Sequence, residues 1–285
     1  MIAARTRPVV VGVDGSEYAL NAVRWAARAA VLRHAPLQVV HAMSAGWDLG
    51  RAGVLALHDH RLHVAGAEAV AEAAEMAAAT VAPAPLAVKT ELVSPSPVAA
   101  LRRRARHAQL VVVGTRGLDA FERTVLGSVS SALARQLSGP LAVVPHPCRS
   151  DTERLPVLVG LDGSPDGDRA LATAIEEAAV RGVGLLVLHA WVEPAKGLDP
   201  ARMSEHGHRL LARSLIGYGD KYPDVPITRI AVEGDPARLL LQEAAGAQLI
   251  VLGRHRRGHR HHGFGSVSRA ILHTTEVPLL LAGHR

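Results

Sequence analysis

The sequence is poor in cysteine and aromatic residues, and each shortage narrows what the chain can do. Cys148 is the only cysteine, so no internal disulfide framework can form, and we expect a reducing, cytoplasmic location. Aromatic residues make up 3%, too few for the stacking platforms that bind single-stranded nucleic acid. No apolar run is long enough to cross a bilayer. These shortages argue against nucleic-acid and membrane partners.

Lysine is also scarce, and almost all of the positive charge is arginine. The formal net charge is +6, yet Lys89, Lys196 and Lys221 are the only lysines. A basic balance suits anionic ligands. Histidines gather in the segment 255–262, but no cysteine or carboxylate completes a zinc ligand set at the usual spacing. We therefore predict a solvated basic loop there and no metal site.

The chain repeats itself once. The segment VVVGVDGS near the start returns as VLVGLDGS, and Asp14 and Asp162 stand 148 positions apart. The later segment LGSVSSAL returns as FGSVSRAI at a smaller offset, as expected when insertions and deletions gather in connecting loops. A period of this length predicts two tandem copies of one domain rather than a solenoid. We place the domains at residues 1–148 and 149–285.

Each half alternates short apolar strands with amphipathic helices. In the first half, strands are predicted at Val9–Val13, Leu37–Ala42, Leu86–Leu92, Leu110–Val113 and Leu141–Val144. Helices are predicted at Glu17–His34, His58–Val81, Pro97–Ala108 and Ser128–Leu137, with Ser16 as the first N-cap. The alternation predicts a doubly wound α/β fold, with parallel strands covered by helices on both faces. Ligands of such sheets bind beyond the carboxyl ends of the strands, where the strand order reverses.

Glycines and hydroxyl residues separate the fourth strand from the last helix of each half. In the first half, Gly114, Gly117 and Gly127 precede Ser128. Glycine lets a ligand approach main-chain N–H groups, and a helix N-terminus favours phosphate. A Walker A lysine is missing, so Arg116 is a candidate for the positive charge. The segment predicts a polyphosphate site, and the alternative is that Ser128 merely caps the helix.

The pattern Gly114-x2-Gly117-x9-Gly127-Ser128 resembles the nucleotide-binding signature of the universal stress protein family. The segments VVGVDGS, VVHA and GSVS are equally typical, and the resemblance covers the whole chain as a tandem pair. It implies five-stranded parallel sheets of order 3-2-1-4-5 and ATP binding by many members, though not all. Mg²⁺ is a candidate companion ion. The resemblance also implies that the halves pack as a pseudo-dimer through their last strands.

The resemblance further implies which residues form the site. Asp14 matches an aspartate at the nucleoside end, with a turn cap as the alternative. In the first half the implied cofactor-binding residues are Gly12, Asp14, Ala42, Gly114, Thr115, Arg116, Gly117, Gly127, Ser128, Val129 and Ser130. In the second half they are Gly160, Asp162, Ala190, Gly253, Arg254, Gly258, Gly265, Ser266, Val267 and Ser268. Arg256 replaces the second glycine there, so stronger binding by charge and loss of the loop geometry are both open.

The expected function is regulatory, an ATP-binding stress-response protein whose nucleotide occupancy tunes conformation or the binding of an unknown protein partner. A slow ATP-hydrolysing enzyme and an assembly scaffold without nucleotide are the alternatives. We expect no catalytic residues, because no P-loop lysine or Walker B carboxylate appears. His41 and His189, at equivalent strand ends, are expected to be packed and hydrogen-bonded. Assembly as a homo-oligomer or as an intramolecular pseudo-dimer is expected.

Overall fold

The computed structural model describes residues 6–43, 52–93, 96–116, 126–147, 152–192, 200–254 and 265–283. The chain divides into two compact units, residues 1–147 and 148–285. Each unit is a doubly wound α/β sheet, and the order of elements is the same except for one extra helical turn in the second unit. The predicted pairing of the two halves through their last strands stays a prediction.

The first unit contains five strands and four helices in its described residues. The strands are β1 (Val9–Val13), β2 (Leu37–Ala42), β3 (Val88–Val93), β4 (Leu110–Gly114) and β5 (Leu141–Val144). The helices are α1 (Glu17–Leu32), α2 (Ala52–Val81), α3 (Pro97–Ala105) and α4 (Ser128–Gln136). All strands are parallel in the order β3-β2-β1-β4-β5, which confirms the predicted fold class.

The second unit repeats this arrangement. Its strands are β6 (Val157–Gly160), β7 (Leu185–Trp191), β8 (Ile227–Glu233), β9 (Leu249–Leu252) and β10 (Leu279–Leu281). Its helices are α5 (Pro165–Arg181), α6 (Pro200–Ser214), the single turn α7 (Tyr218–Lys221), α8 (Pro236–Ala244) and α9 (Ser266–Thr274). All strands are parallel in the order β8-β7-β6-β9-β10, which matches β3-β2-β1-β4-β5 of the first unit strand for strand.

The central strands are buried on both faces, which explains their continuous apolar sequence. Val9, Val10 and Val11 of β1 are fully buried, and every residue of β4 is buried. The outer strand β3 instead carries exposed Lys89 and Thr90 between its apolar residues. Charge on an outer strand discourages pairing with another chain, so the pattern fits its place in the sheet.

Helix α1 sits close to the sheet because small residues form its buried face. Ala19, Ala22, Ala26 and Ala30 are almost fully buried, and the predicted N-cap Ser16 is confirmed. The predicted start of α2 at His58 is wrong, since the helix begins at Ala52. The apolar run at residues 54–57 lacks helical periodicity and hid the first turns of this helix. No helix among the described residues is long and apolar enough to span a membrane.

Candidate functional site

The reversal of strand order brings the segments that follow two central strands side by side in each unit. In the first unit β1 pairs with β4, and in the second β6 pairs with β9. The loops after these strands therefore share one edge of the sheet, as the sequence predicted. In the second unit a cavity of ≈ 240 Å³ opens at this edge.

Most of the site residues predicted for the second half line this cavity. They are Gly160, Asp162, Ala190, Gly253, Gly265, Ser266, Val267 and Ser268. Arg254 is buried at 6% exposure and is not among the lining residues, and Gly258 lies outside the described residues. Asp166, Pro236 and Leu240 also line the cavity and were missed. Asp166 stands 148 positions after Tyr18, which carried no site signal in the first repeat, so there was no reason in the sequence to select it.

Site residues of the first half occupy the equivalent elements. Gly12 lies in β1 and Ala42 ends β2, while Asp14 follows β1 directly. Gly114 ends β4 and is followed by Thr115 and Arg116, and Gly127 precedes a helix that begins Ser128, Val129, Ser130. Gly117 lies outside the described residues. The elements that carry the first-half site thus match those around the second-unit cavity.

Asp14 builds the turn between β1 and α1. Its Oδ1 accepts hydrogen bonds from the Ser16 N–H at 3.0 Å and from the Ser16 hydroxyl at 2.6 Å. Ser16 Oγ in turn accepts from the Ala19 N–H at 3.2 Å, which caps α1. The turn-cap alternative for this aspartate is therefore realised. A ligand at Asp14 would therefore meet a carboxylate whose Oδ1 already accepts two hydrogen bonds within the turn.

Asp162 repeats this arrangement in the second unit. Its Oδ1 accepts from the Ser164 N–H at 3.0 Å and from the hydroxyl at 2.5 Å, while Ser164 Oγ accepts from the Gly167 N–H at 3.1 Å. The two turns differ in exposure, because Asp162 is exposed and Asp14 is partly buried. The carboxylate in each turn lies at the same edge of the sheet as the glycine loop.

The glycines that follow the strands are required by packing. A Cβ at Gly114 would lie 2.9 Å from the carbonyl oxygen of Tyr18, and one at Gly253 would lie 2.6 Å from that of Asp166. Real Cβ atoms do not approach backbone so closely, so glycine lets the first helix of each unit sit against the strand end. Packing thus accounts for both glycines, Gly253 also lines the cavity, and their predicted contact with a ligand stays a prediction.

The first and third residues of α4 and of α9 are serines, and the third is buried in each helix. Ser130 is buried, and its hydroxyl donates towards the carbonyls of Thr115 and Gly127 at 3.1 and 3.0 Å. Ser268 is buried likewise, and its hydroxyl donates to the Gly253 carbonyl at 3.2 Å. A serine has a single hydroxyl hydrogen, so these two side chains hold the loop and are poor donors to a ligand.

Ser128 and Ser266 remain as the hydroxyl donors at the helix starts. Both are exposed and stand at the first position of α4 and α9. The N-cap residues are Gly127 and Gly265, which have no side chain to satisfy the first N–H groups of these helices. Such a helix start attracts anions through its N–H groups and its dipole.

A cation and two rings lie close together near the end of β4 and the start of α1 in the first unit. The Arg116 guanidinium carbon lies 5.9 Å from the centroid of the Tyr18 ring. The same ring meets His146 edge-on, with centroids 4.9 Å apart. The distance between Arg116 and the Tyr18 ring is within the range of a cation–π interaction, so Arg116 lies beside the first turn of α1.

The two strand-end histidines are hydrogen-bonded as predicted. His41 Nδ1 lies 3.0 Å from the Val13 carbonyl, and His189 Nδ1 lies 2.9 Å from the Leu161 carbonyl. Because a carbonyl only accepts, Nδ1 carries the hydrogen in both rings. Both imidazoles therefore tie the end of the second strand of the unit to the segment after the first.

The described residues contain no group of three or more histidine, cysteine, aspartate or glutamate side chains that could hold a metal ion. The histidine segment 255–262 lies outside the described residues. Three features that were predicted to bind phosphate lie among the described residues. They are the N-termini of α4 and α9, the exposed Ser128 and Ser266 at these N-termini, and Arg116.

Two doubly wound units, each with a glycine loop leading into a helix start, define a tandem Rossmann-like α/β protein. The universal stress protein family model matches residues 5–145 and 154–283. Universal stress protein Rv2005c of Mycobacterium tuberculosis is 39% identical over 96% of both chains. The chain belongs to the universal stress protein family.

Solved structures support the fold. A universal stress protein from Archaeoglobus fulgidus superposes with a TM-score of 0.69 at 18% identity, covering 99% of this chain and 100% of that one. A universal stress protein solved in complex with cAMP is 31% identical, covering 50% of this chain and 98% of its own, with a TM-score of 0.38. The first match shows the fold, and the cAMP complex is a property of that relative.

Proposed function

We propose that each unit binds an adenine nucleotide at the carboxyl ends of its strands, with ATP as the ligand, and that Mg²⁺ is a candidate companion ion. The observation that carries this proposal is the cavity of ≈ 240 Å³ in the second unit. It gathers residues from six places in the sequence, the ends of β6, β7 and β9 and the helices α5, α8 and α9. The concave wall suits a small molecule, and the helix start suits an anionic group.

The lining of the cavity has an apolar end and a polar end. Leu188 and Ala190 of β7 and Leu240 of α8 offer apolar walls of the kind that an adenine ring needs. Asp162 offers a carboxylate that accepts hydrogen bonds, which fits ribose hydroxyls. Ser266 and the helix N–H groups offer donors for phosphate oxygens. The proposed ligand would lie with its base towards β7 and its phosphates towards α9.

The function that this site supports is regulatory, with nucleotide occupancy tuning conformation or the binding of a protein partner in the cytoplasm. Fast hydrolysis needs an oriented water and stabilisation of transition-state charge. The only acidic residues of the described cavity wall are Asp162 and Asp166, and the position of Asp166 is Tyr18 in the first unit. A general base shared by both sites is therefore not available at that position. Binding without preference for a transition state holds a ligand and leaves its reaction slow.

Nucleotide binding is tested by placing a negative charge at the two helix starts. We expect Ser128→Asp with Ser266→Asp to abolish ATP binding to the full chain, because the carboxylates take the place of phosphate. Aspartate is favourable in the first helical turn, so the fold should survive. Ser128→Asn with Ser266→Asn is the control for size without charge, and circular dichroism checks folding. Undiminished ATP binding by the aspartate variant would refute the site.

Mass spectrometry of small molecules released from freshly purified protein separates a nucleotide sensor from an assembly scaffold. We expect an adenine nucleotide in the wild type and a much smaller amount in the aspartate variant. Steady-state phosphate release separates sensor from enzyme. We expect a rate far below the ~10 s⁻¹ median of enzymes. A rate above roughly 1 s⁻¹ that Asp14→Ala with Asp162→Ala abolishes would make this protein an enzyme.

A further inference from the structure

Helix α3 ends in a group of arginines that the nucleotide site does not use. Arg102, Arg103 and Arg106 are all exposed, and their spacing places them on the outer face of the last turn of this helix. Helix α4 packs beside α3, and Arg135 near its end is exposed as well. Arg102 donates to Gln136 Oε1 at 3.2 Å, so the ends of the two helices lie together. We call Arg102, Arg103, Arg106 and Arg135 the arginine patch.

Neighbouring acids do not compensate the charges of the arginine patch. The segments 96–116 and 126–147, which contain α3 and α4, have no aspartate or glutamate. Glu91 of β3 reaches this face of the sheet, but it forms an ion pair with Arg104, whose side chain is only 9% exposed. No ion pair between described residues includes a member of the arginine patch. The patch therefore presents uncompensated positive charge to solvent.

The second unit shows that the fold does not need these arginines. Counted from the proline that starts each helix, the equivalent positions of α8 hold Leu241, Gln242 and Ala245. Helix α8 has no basic residue in its last turn, and it is as long as α3. A cation near the end of a helix is favourable, but Arg104 already supplies one, and like charges three or four positions apart repel one another. A binding partner accounts for the remaining arginines better than the fold does.

The arginine patch lies at the opposite edge of the sheet from the proposed nucleotide site. Each helix begins after the carboxyl end of one strand and ends before the amino end of the next, and the patch occupies the second half of α3 and of α4. A partner bound there would therefore not cover the helix start at Ser128. The inference goes beyond the proposed function and requires no nucleotide.

The kind of partner follows from what surrounds the charges. No large apolar or aromatic side chain is exposed on α3 or α4, both of which the structure describes throughout. The patch thus offers neither a stacking surface for bases nor an anchor in a bilayer. Residues 102–106 of a helix span about 6 Å, and packed helices lie about 8–10 Å apart. Such a compact cluster suits a few successive carboxylates, whereas proteins that bind duplex DNA commonly contact ~6–10 phosphates.

We propose that the arginine patch is a docking surface for an acidic segment of a partner protein, rich in aspartate and glutamate. Guanidinium groups match carboxylates with two parallel hydrogen bonds, which favours arginine over lysine at such a surface. Exposed ion pairs are individually weak and screened by salt, so the contact is transient and salt-sensitive. It belongs to the first unit, because the equivalent helix of the second unit lacks the arginines.

The test is the fluorescence anisotropy of a labelled deca-glutamate peptide titrated with the full chain at physiological salt. The α3 variant, Arg103→Gln with Arg106→Ala, introduces the residues of the second unit, so the fold should survive, and circular dichroism checks this. We expect the α3 variant to bind the peptide roughly fivefold more weakly than the wild type.

Arg202→Gln with Arg213→Ala is the matched control. Both residues are exposed arginines of α6 in the second unit, and the control removes the same net charge as the α3 variant. We expect it to bind the peptide within about twofold of the wild type. Equal weakening by the control and the α3 variant would show that only net charge matters, which overturns the proposal.

Two further results would overturn the proposal. One is failure of the peptide to bind the wild type. The other is tighter binding of a short DNA duplex, or of vesicles containing phosphatidylglycerol, that the α3 variant loses, because the partner would then be a nucleic acid or a membrane. ATP titration of the same protein is read separately. Failure of ATP to bind refutes the proposed function and leaves this inference intact.

Discussion

The two units share a hydrogen-bonded framework and differ in the side chains around their sites. The turn formed by Asp14 and Ser16 recurs at Asp162 and Ser164 with hydrogen-bond lengths that agree within 0.1 Å. The neighbouring helical position, in contrast, changes from tyrosine to aspartate. Residues that hold main-chain geometry are thus the same in both copies, and so are most residues of the cavity wall, whereas Asp166 differs from Tyr18. This contrast identifies the positions where the two sites would differ in ligand preference.

The largest loss of stability is expected from substitutions that disturb the framework shared by both units. Gly253→Ala should destabilise the second unit by about 2–3 kcal/mol, because the new Cβ meets main-chain atoms that can move only with the helix. Gly114→Ala should cost less, about 1–2 kcal/mol, since its nearest contact is 2.9 Å rather than 2.6 Å. Calorimetric unfolding of the full chain measures both.

Gly246→Ala is the control for these glycine variants. The nearest contact of its Cβ would be 3.7 Å, an ordinary van der Waals distance, so a change within about 0.5 kcal/mol is expected. A Gly253→Ala protein as stable as the Gly246→Ala protein would show that the helix does not need this glycine.

The order of elements, the parallel sheets and the edge that carries the site could be predicted from the sequence. Apolar periodicity and the internal repeat are local signals, and strand order follows from the family resemblance. The role of Gly114 and the inward direction of Ser130 could not be predicted, because both depend on which backbone atoms pack there. The place of Asp166 in the cavity wall depends equally on how α5 sits on the sheet.

A smaller effect is expected from the aspartates of the repeated turn. Asp14→Ala removes two hydrogen bonds to Ser16 and should cost about 1–2 kcal/mol. Asp162→Ala should cost less, because Asp162 is exposed and water replaces the lost partner more easily. Thermal unfolding of both variants, with Asp14→Asn as the control that keeps an acceptor oxygen, checks the ranking. Equal losses would show that exposure does not matter in this turn.

The smallest expected effect concerns an ion pair that only the first copy has. Hydrogen bonding to Arg104 holds the pKa of the Glu91 carboxyl below its usual value, with a further contribution from Gln38, while burial opposes the shift. Ile230 and Glu243 take the equivalent positions in the second unit. The stabilisation is complete above the unfolded pKa of about 4.3 and is lost as the pH falls through the lowered folded pKa.

Glu91→Gln should therefore remove this acid-dependent stability, which is at most about 1 kcal/mol because the carboxylate is partly exposed. Thermal unfolding of the first unit between pH 7 and pH 3 measures it, and Glu72→Gln, at an exposed position on α2, is the control. Identical pH profiles for the wild type and Glu91→Gln would contradict the assignment.

The central claim is that each of the two copies binds one adenine nucleotide. Native mass spectrometry of the full chain with a modest excess of ATP counts bound ligands directly. The account predicts a species with two nucleotides, reduced to one by Ser128→Asp or by Ser266→Asp alone and to none by both. A chain that never carries more than one nucleotide, or that still carries two when both helix starts are charged, would contradict it.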